Sequence, residues 1–310
     1  MIEFEHKPIM LDECINALNI NPNGVYLDCT VGGAGHSQEI AKKLKKGTLL
    51  CLDKDEDALK VSKDRLKNYE NVKFFHCDFK NYEKALEFYK IEKLDGILID
   101  LGVSSYQIDT PERGFSYMHN SNLDMRMDKS QKKSAYDVVN FYSQKQLAKI
   151  FKEYGEEQFA NNIAKHIVLN REEKPIKTTF ELVEIIEKAI PAKIRYSGGH
   201  PAKKVFQAIR IEVNDELLYL FETIQKLFNH LNKKGRLVIL TFHSLEDRIV
   251  KKAFNLFASS CICPPEAPIC NCGHKKEGIL INKKPIIAQE AEIEQNPRSH
   301  SAKLRIIEKL

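Results

Sequence analysis

Along the first hundred residues the apolar positions switch between two periods. Val25, Tyr26 and Leu27 are consecutive strand formers, and Thr48–Asp53 and Leu94–Asp100 are further apolar runs. Ile40, Ala41 and Leu44 instead recur at the three- and four-residue steps of a helix. The pattern predicts strands over 25–28, 48–53, 72–76 and 94–100, with helices near 36–45, 57–68 and 81–90. Strands that alternate with helices in this way build an α/β fold, doubly wound around a parallel sheet.

The alternation then stops. After Asp100 some 135 residues pass before Arg236-Leu-Val-Ile-Leu-Thr241 resumes the sheet. Ser143 and Gln146 form a capping-box pattern ahead of Leu147, Ile150, Phe151 and Tyr154, with Gly155 placed to stop that helix. Thr178 and Glu181 do the same ahead of Leu182, Ile185, Ile186 and Ala189. Helices near 134–141, 143–154, 157–170 and 179–189 would form a small bundle inserted in the sheet domain. The division expected is a discontinuous sheet domain of residues 1–107 and 205–310, and a helical substrate-recognition insert of residues 108–204.

Gly198-Gly-His-Pro201 should open one long helix with Val205, Ile209, Val213, Leu217, Leu220 and Ile224 on its apolar face. Lys203, Gln207, Arg210 and Asn214 fall on a single polar, cationic stripe suited to nucleic acid. The alternating Ala302–Lys309 should add a last strand.

Composition adds limits rather than identity. The chain has 310 residues, 43% of them hydrophobic, and a formal net charge of +5. That is long enough for a sizeable core and mildly basic, compatible with a phosphate-rich partner. Lysine and arginine gather at 129–133, at 193–204 and around Arg298, Lys303 and Arg305, whereas 53–57 and 290–294 are acid-rich. No apolar run is long enough to span a bilayer, and Met1-Ile-Glu-Phe-Glu-His lacks the basic and apolar regions of a secretory leader, so a cytoplasmic protein is expected.

The segment Asp28-Cys-Thr-Val-Gly32-Gly-Ala-Gly35-His36-Ser37 closes the first strand and opens a helix whose free N–H groups can receive an anionic or polar ligand. Asp53 ends the second strand 18 residues beyond Gly35 (53 − 35), where such folds place the acid that binds a ribose. Asp100, followed by Ser104, Ser105 and Gln107, lies beyond the carboxyl end of a central strand, the ligand-binding edge of open α/β sheets. Thr241-Phe-His243 reaches the same edge, with Glu246, Asp247 and Arg248 opening the next helix and Arg248 available to a phosphate. Cys14, Cys29, Cys51 and Cys77 sit among apolar neighbours as buried thiols. Cys261, Cys263, Cys270 and Cys272 are enough for a tetrahedral zinc, but their spacing is tighter than the usual two-residue gap; reduced loop thiols are the alternative.

Taken in order, several motifs resemble the bacterial small-subunit ribosomal RNA methyltransferase H family over essentially the whole chain. They are His6-Lys-Pro-Ile-Met-Leu, the Gly32–Ser37 turn, Asp100-Leu-Gly-Val-Ser-Ser105, Glu112-Arg-Gly-Phe-Ser116, Leu123-Asp-Met-Arg-Met-Asp128, Gly199-His-Pro-Ala, Phe206-Gln-Ala-Ile-Arg-Ile, Phe242-His-Ser-Leu-Glu-Asp-Arg248 and Asn296-Pro-Arg. The resemblance implies a Rossmann-like class I methyltransferase sheet with S-adenosylmethionine as cofactor. It implies methyl transfer to the N4 amino group of a cytidine of 16S rRNA, position 1402 in the decoding centre, with 16S rRNA inside the 30S subunit as the expected partner. Carried to matching positions it implies cofactor contact by Ala34, Gly35, His36, Asp53, Phe79, Asp100 and Gln107. Ser104, a nearby backbone carbonyl or His243 would accept an amino proton, with Lys203, Gln207, Arg210, Arg248 and Arg298 toward RNA. Tyr106, where the family usually has proline, and His300, where it usually has arginine, depart from the pattern. Two other classes stay open at this point: a methyltransferase for DNA or protein, and a non-catalytic nucleotide-binding protein associated with RNA. A nicotinamide dehydrogenase has only the glycine turn and Asp53 in its favour. Oligomeric state is not read from the sequence.

Overall fold

The computed structural model describes every residue except 1–7, 194, 197–198, 265–266 and 268. His6 of the first motif and Gly198 of the expected helix start therefore lie outside the described residues. The chain divides into two compact units, residues 1–102 with 217–310, and residues 103–216. The sequence reading set these limits at 107/108 and 204/205.

The first unit holds one sheet built from β1 (Val25–Asp28), β2 (Thr48–Asp53), β3 (Val72–His76), β4 (Leu94–Asp100), β5 (Leu231–Thr241), β6 (Gly278–Leu280), β7 (Ile286–Ile287) and β8 (Lys303–Lys309). The order is β3-β2-β1-β4-β5-β8-β6, with β7 also pairing with β8. Strands β1 to β5 are parallel, and β8 runs antiparallel to β5. This is a mixed α/β fold of Rossmann-like type.

Successive residues of a strand face opposite sides of a sheet, so a strand covered on both sides must be apolar throughout. β2 shows this. Leu49 and Cys51 enter one core with the helices Leu11–Leu18 and Gly35–Lys43, while Leu50 and Leu52 enter a second core with Tyr82–Tyr89, Leu220–His230 and Ser244–Ala258. The parallel register brings the carboxyl ends of the strands into line: Asp28 pairs with Cys51 and Leu98, Asp53 with His76, and Asp100 with Leu240. Of these, β1, β2 and β4 close on carboxylates, β3 on His76 and β5 on Thr241.

The second unit packs the helices Ala135–Phe141, Gln144–Glu153, Ala160–Glu173, Thr179–Ala189 and Lys203–Asn214 around Val138, Leu147, Phe151, Ile163, Ile167, Leu182, Ile186, Val205 and Ile209. Ser134, Ser143 and Thr178 each cap a helix in a complete capping box. Each such cap satisfies N–H groups that the helix itself leaves orphaned.

The expected long helix does not run through. It ends at Asn214, and Asp215 takes a left-handed conformation (φ 50°) whose N–H donates to Ile211 O. Chain direction changes there because Asn214 is anchored: its Nδ2 donates to Met125 O and its Oδ1 accepts from Met127 N, both at 2.8 Å. Leu220 and Ile224 belong to a separate helix, Leu220–His230, and bury in the sheet unit rather than beside Val205 and Ile209.

Candidate active site

Asp28 closes β1 almost wholly buried. Its Oδ1 accepts from Thr30 N at 3.0 Å and its Oδ2 from Ser37 Oγ at 2.6 Å, and burial pushes its carboxyl up to about 6. The turn it anchors is conformationally demanding. Gly32 has φ +49°, and Ala34 is fully buried with φ 62°. A non-glycine residue held there costs on the order of 1–3 kcal/mol, a strain that clusters at functional turns. At Gly35 a Cβ would fall 2.0 Å from Pro8 Cγ, so only glycine fits. The helix Gly35–Lys43 that follows has no side-chain cap, leaving its first N–H groups to other partners.

Asp53 is tied into the same turn. Its Oδ2 accepts from Gly32 N and its Oδ1 from Asp55 N, each at 2.9 Å. Burial raises its carboxyl to about 6 against the lowering effect of those two bonds. Each oxygen keeps a second lone pair, the acceptor pattern a ribose diol requires. Phe79 opens a short turn behind the Asp78 cap and lies half-buried beside the core around Leu27 and Leu52.

Asp100 closes β4. Its N–H donates to Thr30 Oγ1 at 2.7 Å, and its Oδ2 lies 3.8 Å from His36 Nδ1. The side chain is 30% exposed overall, yet Oδ1 is sealed and has no hydrogen-bond partner among the described residues. Burial first, then the charges of Asp28 and Glu246, push this carboxyl up to about 8. His36 is itself buried, its Nε2 3.1 Å from Ile9 O.

On β5's exit, His243 caps the helix Ser244–Ala258. Its Nδ1 accepts from Glu246 N at 3.4 Å, and Nε2 lies 3.1 Å from Glu246 Oε1 but out of line for a hydrogen bond. Buried Glu246 accepts through Oε2 from Phe242 N (2.8 Å) and His243 N (3.3 Å). Arg248 is exposed, its Nε donating to Ser244 O, and Arg298 is exposed in the turn Pro297–Ser301. Arg305 is not a surface cation: it is buried in a two-pronged pair with Asp247, which Lys303 also approaches at 3.6 Å.

The remaining expected site residues lie in the helical unit. Ser104 caps the helix Ser105–Asp109. Its Oγ accepts from Gln107 N, and Gln107 Oε1 accepts from Ser104 N, so both side chains serve a capping box. The polar stripe is a correction. Gln207 Nε2 donates to Tyr154 O at 2.9 Å, Arg210 forks onto Glu216 at 2.9 and 3.0 Å, and Asn214 is buried on Met125 and Met127. These three hold their own unit together: the partners of Gln207 and Asn214 come from 53 to 89 residues away, and Glu216 folds back onto Arg210 from six residues on, just past the helix end. Lys203 alone of the four is exposed.

The strand-end carboxylates and the glycine turn thus form one polar edge in the sheet unit, of the kind that takes a nucleoside cofactor. A family model described as the MraW methylase family matches residues 3–310. The chain belongs to the MraW methylase family. It is 55% identical over 311 residues to a ribosomal RNA small subunit methyltransferase H of Clostridioides difficile, and 55% identical over 311 residues to one of Finegoldia magna, with 100% of both chains covered in each case. A solved rRNA methylase from Streptococcus thermophilus superposes with a TM-score of 0.43 at 12% identity, over 97% of this chain and 93% of that one.

Within this methylase chain two further carboxylates join the expected ones: Asp28, which has no role in the sequence pattern, and Glu246, which there only opens a helix. Asp28 carried the same signal as Asp53 and Asp100, a carboxylate closing an apolar strand. Glu246 carried one too, since a glutamate three residues after an N-cap completes a capping box.

Proposed function

We propose that the chain transfers a methyl group from S-adenosylmethionine to the N4 amino group of one cytidine of 16S rRNA, acting on the 30S subunit in the cytoplasm. It is an S-adenosylmethionine-dependent rRNA methyltransferase by family. The observation that carries the cofactor reading is the orphaned, buried Oδ1 of Asp100 beside a glycine turn whose helix lacks a side-chain cap. A sealed acceptor without a donor is costly, and because the side chain as a whole is 30% exposed, a cationic ligand with N–H groups that turns the carboxylate toward itself would relieve that cost.

S-adenosylmethionine supplies a methyl group on positively charged sulfur. Ala34, Gly35 and His36 would border it, Asp53 would accept from the ribose hydroxyls, Phe79 would stack on the adenine and Asp100 would face its cationic end. Cytosine N4 is a poor nucleophile because its lone pair is delocalised into the ring, so the chain's task is to hold that nitrogen in line and let it pyramidalise. The nitrogen becomes cationic and strongly acidic as the new bond forms, and its proton leaves afterwards. Ser104 Oγ and His243 Nδ1, the two expected side-chain acceptors, each already accept a helix N–H, which favours positioning over proton abstraction. Exposed Lys203, Arg248 and Arg298 are the cations proposed toward RNA phosphates.

Incubation with methyl-labelled S-adenosylmethionine and, separately, 30S particles, free 16S RNA, duplex DNA and protein tests the acceptor class. Label on 30S particles above free RNA and absent from DNA and protein is the result expected, and label on DNA or protein alone would overturn it.

A further inference from the structure

Between the helix Ser244–Ala258 and β6 the chain makes an excursion closed at its base, where Glu277 N donates to Phe257 O at 2.8 Å and His274 Nε2 meets Leu256 O at 2.8 Å. Among the described residues between, the large apolar side chains are turned outward: Ile262 is 53% and Ile269 77% exposed. Four sulfurs nonetheless converge there. The Sγ atoms of Cys261, Cys263, Cys270 and Cys272 all lie within 4.8 Å of one another.

Their separations are informative. Cys263 to Cys270 is 4.0 Å, Cys270 to Cys272 3.7 Å and Cys272 to Cys261 3.9 Å. A disulfide needs about 2.05 Å, so none of these pairs is bonded. Four thiolates about 2.3 Å from a central zinc lie at the corners of a tetrahedron with edges of about 3.8 Å, which these three distances reproduce. A backbone amide already points at the sulfurs: Cys263 N donates to Cys261 Sγ at 3.4 Å. Such N–H···S bonds orient ligands and stabilise thiolate charge. Among the described residues no histidine or carboxylate joins the group.

We propose that Cys261, Cys263, Cys270 and Cys272 form a closed tetrahedral zinc site that fixes this excursion of the sheet unit. The one-residue gap within each Cys-x-Cys pair is tighter than the common spacing, yet all four Sγ atoms converge within 4.8 Å of one another. Soft thiolates select zinc, copper(I) or iron–sulfur centres. The compact sulfur set fits a single ion rather than a cluster, whose cysteines must spread to reach different irons. The site is structural, with every position filled by protein, and it is independent of the methyl-transfer reading.

The test is metal content by mass spectrometry on untagged, full-length protein purified under reducing conditions from zinc-supplemented medium. One zinc per chain is expected, lost in Cys261→Ser and in Cys270→Ser with the remaining three thiols becoming titratable, and these variants should also be cut more readily by protease between residues 259 and 277 while methyltransferase activity is scored separately. A second readout does not depend on variants that fold: unfolding the wild type, stripping its metal and refolding with cobalt should give the visible absorption of a tetrahedral tetrathiolate. Protein that carries no zinc with four freely titratable thiols, that carries iron and sulfide, or that gives octahedral cobalt absorption would each overturn the proposal.

Discussion

Gly32 N donates to Asp53 Oδ2 at 2.9 Å, so the carboxylate that closes β2 also holds the glycine turn that follows β1. One side chain therefore shapes the cofactor turn and presents acceptors to the ligand. Asp53→Ala removes both, and a lost charge-assisted hydrogen bond is worth about 1.5–3 kcal/mol, or roughly 10- to 150-fold in affinity. Isothermal titration should show S-adenosylmethionine binding weakened by at least that range. Asp53→Asn, which keeps an acceptor for Gly32, should lose less.

Cofactor affinity should depend on pH through Asp100. Its carboxyl is pushed up to about 8 in the free protein by burial and by Asp28 and Glu246. A cationic ligand favours the ionised form, so below about 8 binding must release a proton. Affinity should rise with pH, by at most about tenfold per unit for one proton, and level off above about 8. Asp53, raised to about 6 and accepting from the ribose, steepens the fall below that pH. Titration from pH 5.5 to 9 checks this, and a flat profile contradicts it.

The same groups set the stability of the ligand-free protein. A carboxyl raised above its unfolded value binds more protons folded than unfolded between about 4 and its folded value, so stability falls as pH rises through that window. For Asp100 the window reaches about 8. Asp100→Asn should therefore melt no lower than wild type at pH 8 while losing cofactor binding, a separation that thermal melts with and without S-adenosylmethionine will show.

His243 offers a clean distinction between capping and chemistry. Asparagine is a strong N-cap, so His243→Asn should keep the helix Ser244–Ala258 capped, with kcat within about tenfold of wild type, whereas His243→Ala should lose about 1 kcal/mol of stability. A hundredfold loss of kcat in a stable His243→Asn protein would assign the imidazole a proton-transfer role instead.

In the helical unit, Arg210 and Lys203 should behave oppositely. Arg210→Ala leaves Glu216 unpaired in a pair only 17% and 8% exposed, at a cost of about 3 kcal/mol seen in thermal unfolding. Lys203→Ala should leave the melting temperature unchanged and weaken RNA binding, with a shallower salt dependence.

Much of the sheet was legible because its signal is local. Strands β1 to β4 fall on the residues the apolar runs marked, and Asp53 and Asp100 stand at their ends as read. The break after Asn214 was not legible. Val213, Leu217 and Leu220 continue the helical period, and what stops the helix is Asn214 reaching Met127 and Met125, 87 and 89 residues away. The polar stripe misled because spacing shows which side chains share a face and not what meets them: the carbonyl on Gln207 comes from Tyr154, 53 residues away, and the carboxylate on Arg210 from Glu216, which the chain turns back after the helix ends. The strands β6 and β7, three and two residues long, carry too few positions for any period to register.

The most direct measurement is mass mapping of modified nucleosides after incubating the chain and S-adenosylmethionine with unmodified 30S particles, alongside Asp53→Ala. N4-methylcytidine at a single 16S position, present with the wild type and lost in the variant, is the predicted result. A methyl group on carbon or ribose, methylation scattered over many cytidines, or equal product from Asp53→Ala would contradict it.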